Sequence, residues 1–387
     1  MTFADLGLSS FFVERLGVRG INAPTEIQRL VIPHVLAGEN VLFRSATGTG
    51  KTFAYLLPLF ERLLVTEVEG AFPRVLIIAP TLELCSQIKQ EADFLLKDKP
   101  YHVSLLIGSA NMSRQIETLK KDKPNIIVGN TARLLQLERM GKLRLSRVET
   151  LVLDEGDRLI SDELLAETTA LLERVNSRQA PAYQTLACSA TMSPQSRERL
   201  VPLMGEAVIT LETEEQEILR ERISHWAFFS EERRKISALC SLLIASKAKK
   251  ALVFTARGGQ VGNIVSQLQY HKIAAVGLHS DMEKKTRKQA MDAFRSEQAR
   301  VLVSSDLAAR GLDVPAITHI ISLDVPLNAE AYIHRAGRTA RAGRRGVVAT
   351  IGDAEDLRRF AQLEKKLGII VYPKVLYKGS IVTPDTE

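Results

Sequence analysis

The sequence predicts an α/β fold in which two parallel-sheet domains are joined by a short hinge, and three observations lead to this prediction. The chain has 387 residues, a length that suits two or three domains of ordinary size. Short runs of Val, Ile and Leu alternate with longer segments of helical periodicity, which is typical of strands buried on both faces of a parallel sheet. The alternation breaks once, in the charge-dense residues 205–224, and then starts again.

The first domain is predicted over residues 1–212, where six apolar runs indicate strands. These runs are residues 40–44, 75–79, 103–107, 125–128, 150–154 and 185–188. Helices are predicted between them at residues 52–64, 84–96, 112–121 and 164–175. In such folds, ligands bind at the carboxyl ends of the parallel strands.

The second domain is predicted over residues 223–373, after a hinge at residues 213–222. Its predicted strands are residues 251–254, 274–278, 301–304, 317–323 and 347–351. Residues 374–387 are predicted to form a short tail. Two similar domains and a flexible hinge indicate a cleft that opens and closes.

The composition excludes several classes of protein. With 45% hydrophobic and 25% charged residues, the chain is unlike collagen, coiled coils and disordered proteins. No run approaches the roughly 18 apolar residues that a membrane span needs, and the first residues lack the pattern of a signal peptide. The wide spacing of Cys85, Cys188 and Cys240 excludes a disulfide framework or zinc ribbon and suits a reducing compartment. We therefore expect a cytoplasmic protein with no membrane contact.

The net charge of +7 is unevenly distributed along the chain. Residues 1–219 contain 24 Lys and Arg against 28 Asp and Glu, whereas residues 220–387 contain 28 against 17. A basic half joined to a mildly acidic half indicates a polyanionic partner, with a basic solvated surface as the alternative.

A phosphate-binding loop is predicted where an apolar strand leads into a helix. Its glycines allow successive backbone N–H groups to point at an anion, and the positive end of the following helix faces the same place. Lys51 is expected to reach the β- and γ-phosphates, and the Thr52 hydroxyl to coordinate Mg²⁺. The strict pattern has Gly or Ala at the position of Ser45. The loop comprises Ser45, Ala46, Thr47, Gly48, Thr49, Gly50, Lys51 and Thr52.

Two adjacent carboxylates, Asp154 and Glu155, end a strand about a hundred residues after this loop. One of them can hold Mg²⁺ through water while its neighbour polarises an attacking water. Such a pair alone is as often a helix N-cap, but beside a phosphate loop it indicates an ATPase.

Three arginines follow at a spacing of three in the second domain: Arg335, Arg338 and Arg341. On a helix they would share one face. Together with the phosphate loop, they predict arginine fingers that act across the cleft. A salt-bridged surface or a general phosphate-backbone site is the alternative.

The set of motifs, in this order, resembles the DEAD-box RNA helicases of helicase superfamily two, over about residues 3–372. The first domain carries segments similar to the Q motif (residues 20–28), motif I (45–52), motif Ia (80–84), the first of the paired glycines (Gly108), motif Ib (130–133), the signature tetrapeptide (154–157) and motif III (189–191). The second carries segments similar to motif IV (253–254), motif V (305–313) and motif VI (334–341).

The resemblance implies two RecA-like domains that bind ATP with Mg²⁺ and single-stranded or partly duplex RNA across their cleft. It implies that Gln28 recognises adenine, Asp154 binds Mg²⁺ through water, Glu155 is the general base and Asp313 meets the ribose. Asp157, Ser189 and Thr191 would couple the nucleotide site to the cleft, with His334 as a partner, and Arg338 and Arg341 would be the fingers. The RNA-facing residues it implies are Thr81, Gly108, Arg133, Thr255, Arg257, Ser304, Ser305 and Arg310; for each Thr or Ser, helix capping is the alternative.

The chain departs from the family pattern mostly where RNA and adenine would bind. Ile21 replaces the Q-motif Phe, Leu82 replaces an Arg of motif Ia, and motif Ib reads Asn-Thr-Ala-Arg at residues 130–133. Gly156 replaces Ala in the signature, and motif VI has Ala336 and Ala340 for Ile and Gly. Since the phosphate, metal and water residues are all present, we expect an active ATPase with weak RNA affinity.

The leading hypothesis is an RNA-stimulated ATPase that locally unwinds or remodels RNA duplexes or RNA–protein complexes by closing its two domains. The second is an ATP-gated RNA clamp or adaptor with little unwinding activity. A DNA helicase of the same superfamily and a simple P-loop kinase fit the motifs less well. A monomer is expected, with a protein partner that supplies RNA specificity.

Overall fold

The fold was analysed in a computed structural model that describes residues 1–45, 48–65, 72–176, 183–213, 221–256, 258–279, 282–306, 316–340 and 344–384. The chain divides into two compact units, Met1–Thr213 and Glu214–Glu387. Among the residues described, no helix combines the length and the apolar character needed to cross a membrane.

The first unit contains a seven-stranded sheet in the order β3-β4-β2-β5-β6-β1-β7, and every neighbouring pair is parallel. Its strands are β1 (Asn40–Arg44), β2 (Val75–Ile78), β3 (Val103–Leu106), β4 (Ile126–Gly129), β5 (Thr150–Asp154), β6 (Gln184–Ser189) and β7 (Val208–Glu212). Its described helices are α1 (Ser10–Gly17), α2 (Glu26–Leu36), α3 (Lys51–Val65), α4 (Leu82–Leu95), α5 (Met112–Asp122), α6 (Thr131–Arg139), α7 (Gly156–Leu159), α8 (Leu165–Asn176) and α9 (Pro194–Leu200).

The central strands of this sheet are buried on both faces, which explains their continuous apolar sequences. Because side chains alternate along a strand, Val41 and Phe43 pack into the core with α2 and α3, whereas Leu42 packs into the opposite core with α6 and α8. The helices therefore cover both faces of the sheet and leave the carboxyl ends of its strands to the connecting loops.

The second unit contains an eight-stranded sheet in the order β10-β11-β9-β12-β13-β8-β14-β15, parallel except for the hairpin of β14 and β15. Its strands are β8 (Ile223–Phe229), β9 (Ala251–Phe254), β10 (Ala275–Leu278), β11 (Val301–Ser304), β12 (His319–Ser322), β13 (Gly346–Gly352), β14 (Val371–Tyr377) and β15 (Ser380–Val382). Its described helices are α10 (Lys235–Ala245), α11 (Val261–Tyr270), α12 (Lys284–Arg295), α13 (Ala329–Ala336) and α14 (Ala354–Leu367).

The predicted fold class, two α/β domains with parallel sheets, is confirmed by these two sheets. The predicted hinge at residues 213–222 lies between the end of β7 and the start of β8, and its residues 214–220 are outside the described part of the chain. The boundary predicted at residue 373 falls inside β14, which pairs with β8 and extends the second sheet. That strand escaped the sequence analysis because its exposed and half-buried residues form no apolar run.

Candidate functional site

The predicted phosphate loop connects β1 to α3 at the carboxyl edge of the first sheet. Lys51 is the first residue of α3, and its Nζ donates a hydrogen bond to the Ser45 carbonyl oxygen at 2.6 Å. Gly48 and Gly50 have φ values of 82° and 91°, a left-handed backbone that residues with a Cβ rarely adopt. Ala46 and Thr47, also predicted for this site, lie outside the described residues.

Ser45, which departs from the strict loop pattern, is buried and joins two parts of the first unit. Its hydroxyl donates to Thr49 Oγ1 at 2.8 Å and accepts from Thr213 Oγ1 at 2.9 Å. The Thr213 backbone N–H also donates to the Arg44 carbonyl at 3.1 Å. The phosphate loop is thus hydrogen-bonded to the last residue of the unit.

Gln28, predicted to recognise adenine, contacts the phosphate loop through its amide. Its Nε2 donates to the Gly50 carbonyl at 3.1 Å, and its Oε1 accepts from the Thr25 N–H at 3.0 Å at the start of α2. A Cβ on residue 50 would lie 2.4 Å from Gln28 Nε2, so a larger residue there would displace the Gln28 amide. Ile21, which replaces the Q-motif Phe, packs against the core of the first unit. The adenine contact stays a prediction.

Asp154 is the last residue of β5 and Glu155 follows it; β5 is the second strand over from β1, and the two strands end at the same edge of the sheet. The Asp154 side chain is buried and accepts three hydrogen bonds: from the Tyr55 hydroxyl at 2.9 Å, from Cys188 Sγ at 3.0 Å and from the Glu155 N–H at 2.9 Å. Glu155 has φ 50° and ψ 52°, a left-handed conformation that is costly for a residue other than glycine and is enriched at functional sites.

Tyr55 and Cys188, whose side chains donate to Asp154, are buried in an environment that changes their pKa values. Burial raises the pKa of Tyr55 well above its usual value, and the Asp154 charge raises it further. Burial and the same charge also raise the pKa of the Cys188 thiol. Both groups are therefore protonated at neutral pH, which makes them the donors and Asp154 the acceptor.

The three residues predicted to couple the nucleotide site to the cleft are brought together by hydrogen bonds. Thr191 Oγ1 donates to Asp157 Oδ2 at 2.6 Å, and the Thr191 N–H donates to Ser189 Oγ at 3.1 Å. Ser189 ends β6 and its carbonyl accepts from the Ser45 N–H at 3.1 Å. A continuous path of bonds therefore connects α7, the end of β6 and the phosphate loop.

The RNA-facing residues predicted in the first unit lie at the carboxyl ends of β2, β3 and β4, which are neighbours in the sheet. Thr81 caps α4, because its hydroxyl accepts from the Leu84 N–H at 3.3 Å. Arg133 is only 7% exposed and donates to the Gly108 carbonyl at 2.9 Å and to Gln115 Oε1 at 2.8 Å. The alternative reading of Thr81 as a cap is thus observed, and Arg133 orders the loop around Gly108.

The corresponding residues of the second unit lie at the ends of two adjacent strands, β9 and β11. The Thr255 N–H donates to the Ser304 carbonyl at 3.1 Å, both side chains are buried, and Ser305 is half-buried. Arg257 and Arg310 lie outside the described residues. RNA contact by any of these residues stays a prediction.

The expectation that Arg335, Arg338 and Arg341 share one helical face is wrong. Helix α13 ends at Ala336 with Gly337 as its C-cap, so Arg335 is helical and Arg338 is not; Arg341 lies outside the described residues. The guanidinium of Arg335 donates to both carboxylate oxygens of Asp306, at 2.6 and 2.5 Å, which makes it a structural link between motifs V and VI. Glycine is a poor helix former, which explains the end of α13.

The two predicted arginine fingers are placed only in part. Arg338 follows α13 and is 7% exposed, and His334 lies half-buried within that helix. Arg341 and Asp313 lie outside the described residues. Ala340, where the family pattern has Gly, adopts a φ of 55°, the left-handed region that favours glycine.

Four residues that sequence reasoning missed contribute to these sites: Tyr55, Cys188, Thr213 and Asp306. Tyr55 and Cys188 lie in a predicted helix and a predicted strand, and apolar periodicity gives no sign that their side chains donate hydrogen bonds to Asp154. Thr213 lies 168 residues from Ser45, and no local pattern predicts such a contact. Asp306 alone had a signal, since it lies inside the segment similar to motif V.

Thr52 and Asp154 offer the hard oxygen donors that Mg²⁺ prefers, and the buried Asp154 carboxylate makes the pair a suitable site. Within the described residues, no cluster of three or more His, Cys, Asp or Glu forms a metal cage.

Comparison with known proteins assigns family models to both units. The model described as DEAD/DEAH box helicase matches residues 25–200, and the model described as helicase conserved C-terminal domain matches residues 234–343. The DEAD-box ATP-dependent RNA helicase CshC of Bacillus cereus is 34% identical over 364 residues, which cover 94% of this chain and 90% of that protein. CshA of Bacillus subtilis is 34% identical over 90% of this chain, and the match spans 69% of CshA. The match spans 64% of CshA of Bacillus thuringiensis (strain Al Hakam).

Solved structures share the fold of the whole chain. S. cerevisiae Dbp5 bound to RNA and ADP BeF3 superposes with a TM-score of 0.83 at 24% identity, covering 96% of this chain and 95% of that chain. Mss116p bound to ssRNA and AMP-PNP gives 0.85 at 25% identity, covering 94% and 76%. A DEAD box protein from Methanococcus jannaschii gives 0.56 at 27% identity, covering 96% and 99%. Both units therefore have the RecA-like architecture.

Proposed function

The chain belongs to the DEAD-box ATP-dependent RNA helicases, a family of ATP-hydrolysing enzymes, and from this membership we propose that it is an RNA-stimulated ATPase that locally separates or remodels RNA duplexes or RNA–protein complexes. Single-stranded or partly duplex RNA is the proposed partner, and ATP with Mg²⁺ the proposed nucleotide. A cytoplasmic monomer that receives its RNA specificity from a protein partner completes the proposal.

One observation supports ATP hydrolysis above all others: the phosphate loop and the Asp154–Glu155 pair meet at one edge of the first sheet. The Tyr55 hydroxyl on α3 bonds to Asp154 at the end of β5 at 2.9 Å, so the helix that begins with Lys51 is fixed against the carboxylates. Phosphate-binding N–H groups, a lysine and two carboxylates at one strand edge are what hydrolysis of a phosphoanhydride requires.

The roles of the individual groups follow from their chemistry. Lys51 and the loop N–H groups bind the β- and γ-phosphates, and Glu155 accepts a proton from the water that attacks the γ-phosphorus. Thr52 and, through water, Asp154 would hold Mg²⁺, which when bound neutralises charge on the phosphates. Arg338 and Arg341 are proposed to stabilise the charge that develops on the γ-phosphate.

RNA stimulation is proposed to act through the strand ends that carry Thr81, Gly108, Thr255 and Ser305. RNA bound there by its phosphates and 2′-hydroxyls is recognised without reading the sequence, since base edges in an RNA duplex are hidden in a deep, narrow groove. The excess of 28 Lys and Arg over 17 Asp and Glu in residues 220–387 favours such backbone binding.

The proposal is tested by steady-state ATP hydrolysis with and without a generic single-stranded RNA at low salt. We expect strong stimulation by RNA in the wild-type chain and loss of turnover in Glu155→Gln. ATP hydrolysis that RNA does not change would contradict RNA stimulation, and full turnover by Glu155→Gln would contradict the general-base role.

A second candidate function is an ATP-gated RNA clamp with little unwinding activity. It is favoured by the loss of a basic side chain at Leu82 and by the use of the Arg133 guanidinium inside the first unit. Displacement of one strand from a short RNA duplex separates the two functions. A clamp is expected to retain the RNA when ATP is present without separating the two strands. A helicase is expected to release one strand of the duplex when ATP is present.

A further inference from the structure

Two buried side chains outside the family motifs hold the Asp154 carboxylate from behind. The Tyr55 hydroxyl donates to Oδ2 at 2.9 Å, and Cys188 Sγ donates to Oδ1 at 3.0 Å. The Glu155 N–H adds a bond to Oδ1 at 2.9 Å, so both carboxylate oxygens have a donor inside the protein. A carboxylate held at both oxygens has a fixed orientation, because rotation would break at least one charge-assisted bond.

Tyr55 also lies on the helix that carries the second residue assigned to magnesium. It follows Thr52 by three residues on α3, so the two side chains lie on the same side of that helix, and its hydroxyl is hydrogen-bonded to Asp154. Tyr55 has no exposed surface and lies in the core formed with α2 and α4. One buried ring on α3 therefore links the helix that carries Thr52 to the Asp154 carboxylate.

We propose that Tyr55 is a positioning residue for Mg²⁺, which holds the Asp154 carboxylate against the helix that carries Thr52 in the arrangement that receives the metal–nucleotide complex, with Cys188 as a weaker support. This inference rests on the proposed ATPase function. Partners behind a metal ligand typically change metal affinity by about 10- to 100-fold when they are removed.

The test is Tyr55→Phe, which removes only the hydroxyl. Binding of a fluorescent ADP is measured over a range of Mg²⁺ concentrations and again in excess chelator. We expect the Mg²⁺ concentration for half-maximal tightening to rise by about tenfold or more, while nucleotide affinity without metal stays the same.

A matched control is available in the same unit. Tyr101 is also buried, and its hydroxyl donates to the Leu63 carbonyl at 2.5 Å. Tyr101→Phe removes a buried tyrosine hydroxyl whose acceptor is a backbone carbonyl, so it is expected to leave the Mg²⁺ dependence unchanged. Thermal unfolding of both variants shows whether each chain is folded under the binding conditions.

Cys188→Ala tests the weaker support, with Cys85→Ala as its control. Cys85 is a buried thiol of the same unit that contacts the Ala79 carbonyl at 3.6 Å. We expect a smaller shift in Mg²⁺ dependence for Cys188→Ala than for Tyr55→Phe, because Oδ1 keeps the Glu155 N–H, and no shift for Cys85→Ala.

The outcomes separate this proposal from the proposed function. If the wild-type chain shows no Mg²⁺-dependent nucleotide binding, the ATPase assignment itself fails. If the wild-type chain does, but Tyr55→Phe has the wild-type Mg²⁺ dependence or loses affinity equally with and without metal, the positioning role is overturned.

Discussion

In the first sheet the order β3-β4-β2-β5-β6-β1-β7 places the phosphate loop after β1 and Asp154 at the end of β5. The second sheet begins with the same arrangement, β10-β11-β9-β12-β13-β8-β14, in which β8 takes the place of β1 and β12 the place of β5. Lys235 begins the helix that follows β8, as Lys51 begins the helix that follows β1. Asp324 follows β12, the strand that corresponds to β5.

The residues between strand and helix differ in a way that changes the chemistry. Residues 45–50, which precede α3, include two glycines with positive φ. The equivalent residues 230–234 contain no glycine, and three charged residues among them, Glu232–Arg234, form a 3₁₀ helix. The Lys235 ammonium is buried and paired with Asp356 at 2.8 Å and Glu232 at 2.7 Å. Asp324 accepts from the Ala256 N–H at 2.7 Å.

The two sheets therefore have equivalent strand ends, at β1 and β5 in the first unit and at β8 and β12 in the second. Only the loop after β1 has the glycines that allow a backbone to surround a phosphate. In the second unit this edge holds a cavity of about 80 Å³, lined by Glu232, Lys235 and Asp324 among others. The negative charges of Glu232 and Asp324 would repel a phosphate there. The comparison predicts that equivalent substitutions in the two units have different kinds of effect.

The largest difference is expected between Glu155→Gln and Asp324→Asn. A general base contributes roughly 10²- to 10⁴-fold, so Glu155→Gln should lower kcat by at least about 100-fold. Asp324→Asn keeps an oxygen for the Ala256 N–H and should leave basal kcat within about twofold, measured as phosphate release without RNA. Equal losses in the two variants would contradict the assignment of hydrolysis to the first unit.

The two lysines are expected to differ in whether they affect binding or stability. Lys51→Met should lower kcat/KM for ATP by about 100-fold or more with little change in stability, since it removes a positioned charge from the phosphates. Lys235→Met should lower the free energy of unfolding by about 3 kcal/mol, because Asp356 stays buried and loses its ion pair with Lys235, keeping the one with the half-exposed Arg359. Urea unfolding followed by the fluorescence of Trp226, the single tryptophan, measures the second unit directly. Loss of ATP turnover in a folded Lys235→Met chain would break the comparison.

The decrease in the free energy of unfolding at acidic pH should depend on Asp356. Burial by itself raises the pKa of this carboxyl, but hydrogen bonds from Lys235 and Arg359 lower it more, so its pKa in the folded chain lies below the usual value. A lowered pKa adds stability above the unfolded-state value of about 3.9, and this stability is lost as the pH falls through the folded-state pKa. Trp226-monitored urea unfolding from neutral pH to about pH 3 should show a steeper decline for the wild-type chain than for Asp356→Asn. Parallel declines would rule out this linkage.

The smallest effect is expected in the hairpin that the first sheet lacks. Lys378 and Gly379 form the turn between β14 and β15, and both have positive φ, 47° and 77°. Asn tolerates that backbone better than Lys, so Lys378→Asn should stabilise the second unit by about 0.5 kcal/mol. Trp226-monitored unfolding gives the stability, and ATP affinity should be unchanged. A loss of stability would mean that the Lys378 side chain matters more than its backbone.

The sequence was sufficient for the fold class, for the strand–loop–helix segment that contains Lys51 and for the strand that ends at Asp154, because apolar runs and a strand–loop–helix motif are local patterns. It was insufficient for contacts between distant segments, such as those of Tyr55 with Asp154 and of Thr213 with Ser45. It also misjudged the helical extent of the arginine motif, because α13 ends at Ala336 and Arg338 lies beyond it. The hairpin of β14 and β15 was missed because exposed edge strands lack an apolar period.

The three buried cysteines make the opening of each unit measurable as a rate. Burial raises the pKa values of Cys85 and Cys188 in the first unit and of Cys240 in the second, and a thiol reagent reacts only with an accessible thiolate. Labelling therefore reports transient exposure, and mass mapping distinguishes the sites. A ligand that binds next to Asp154 should slow labelling of Cys188 and leave the labelling of Cys240 unchanged, so that one time course reports the two halves of the chain separately.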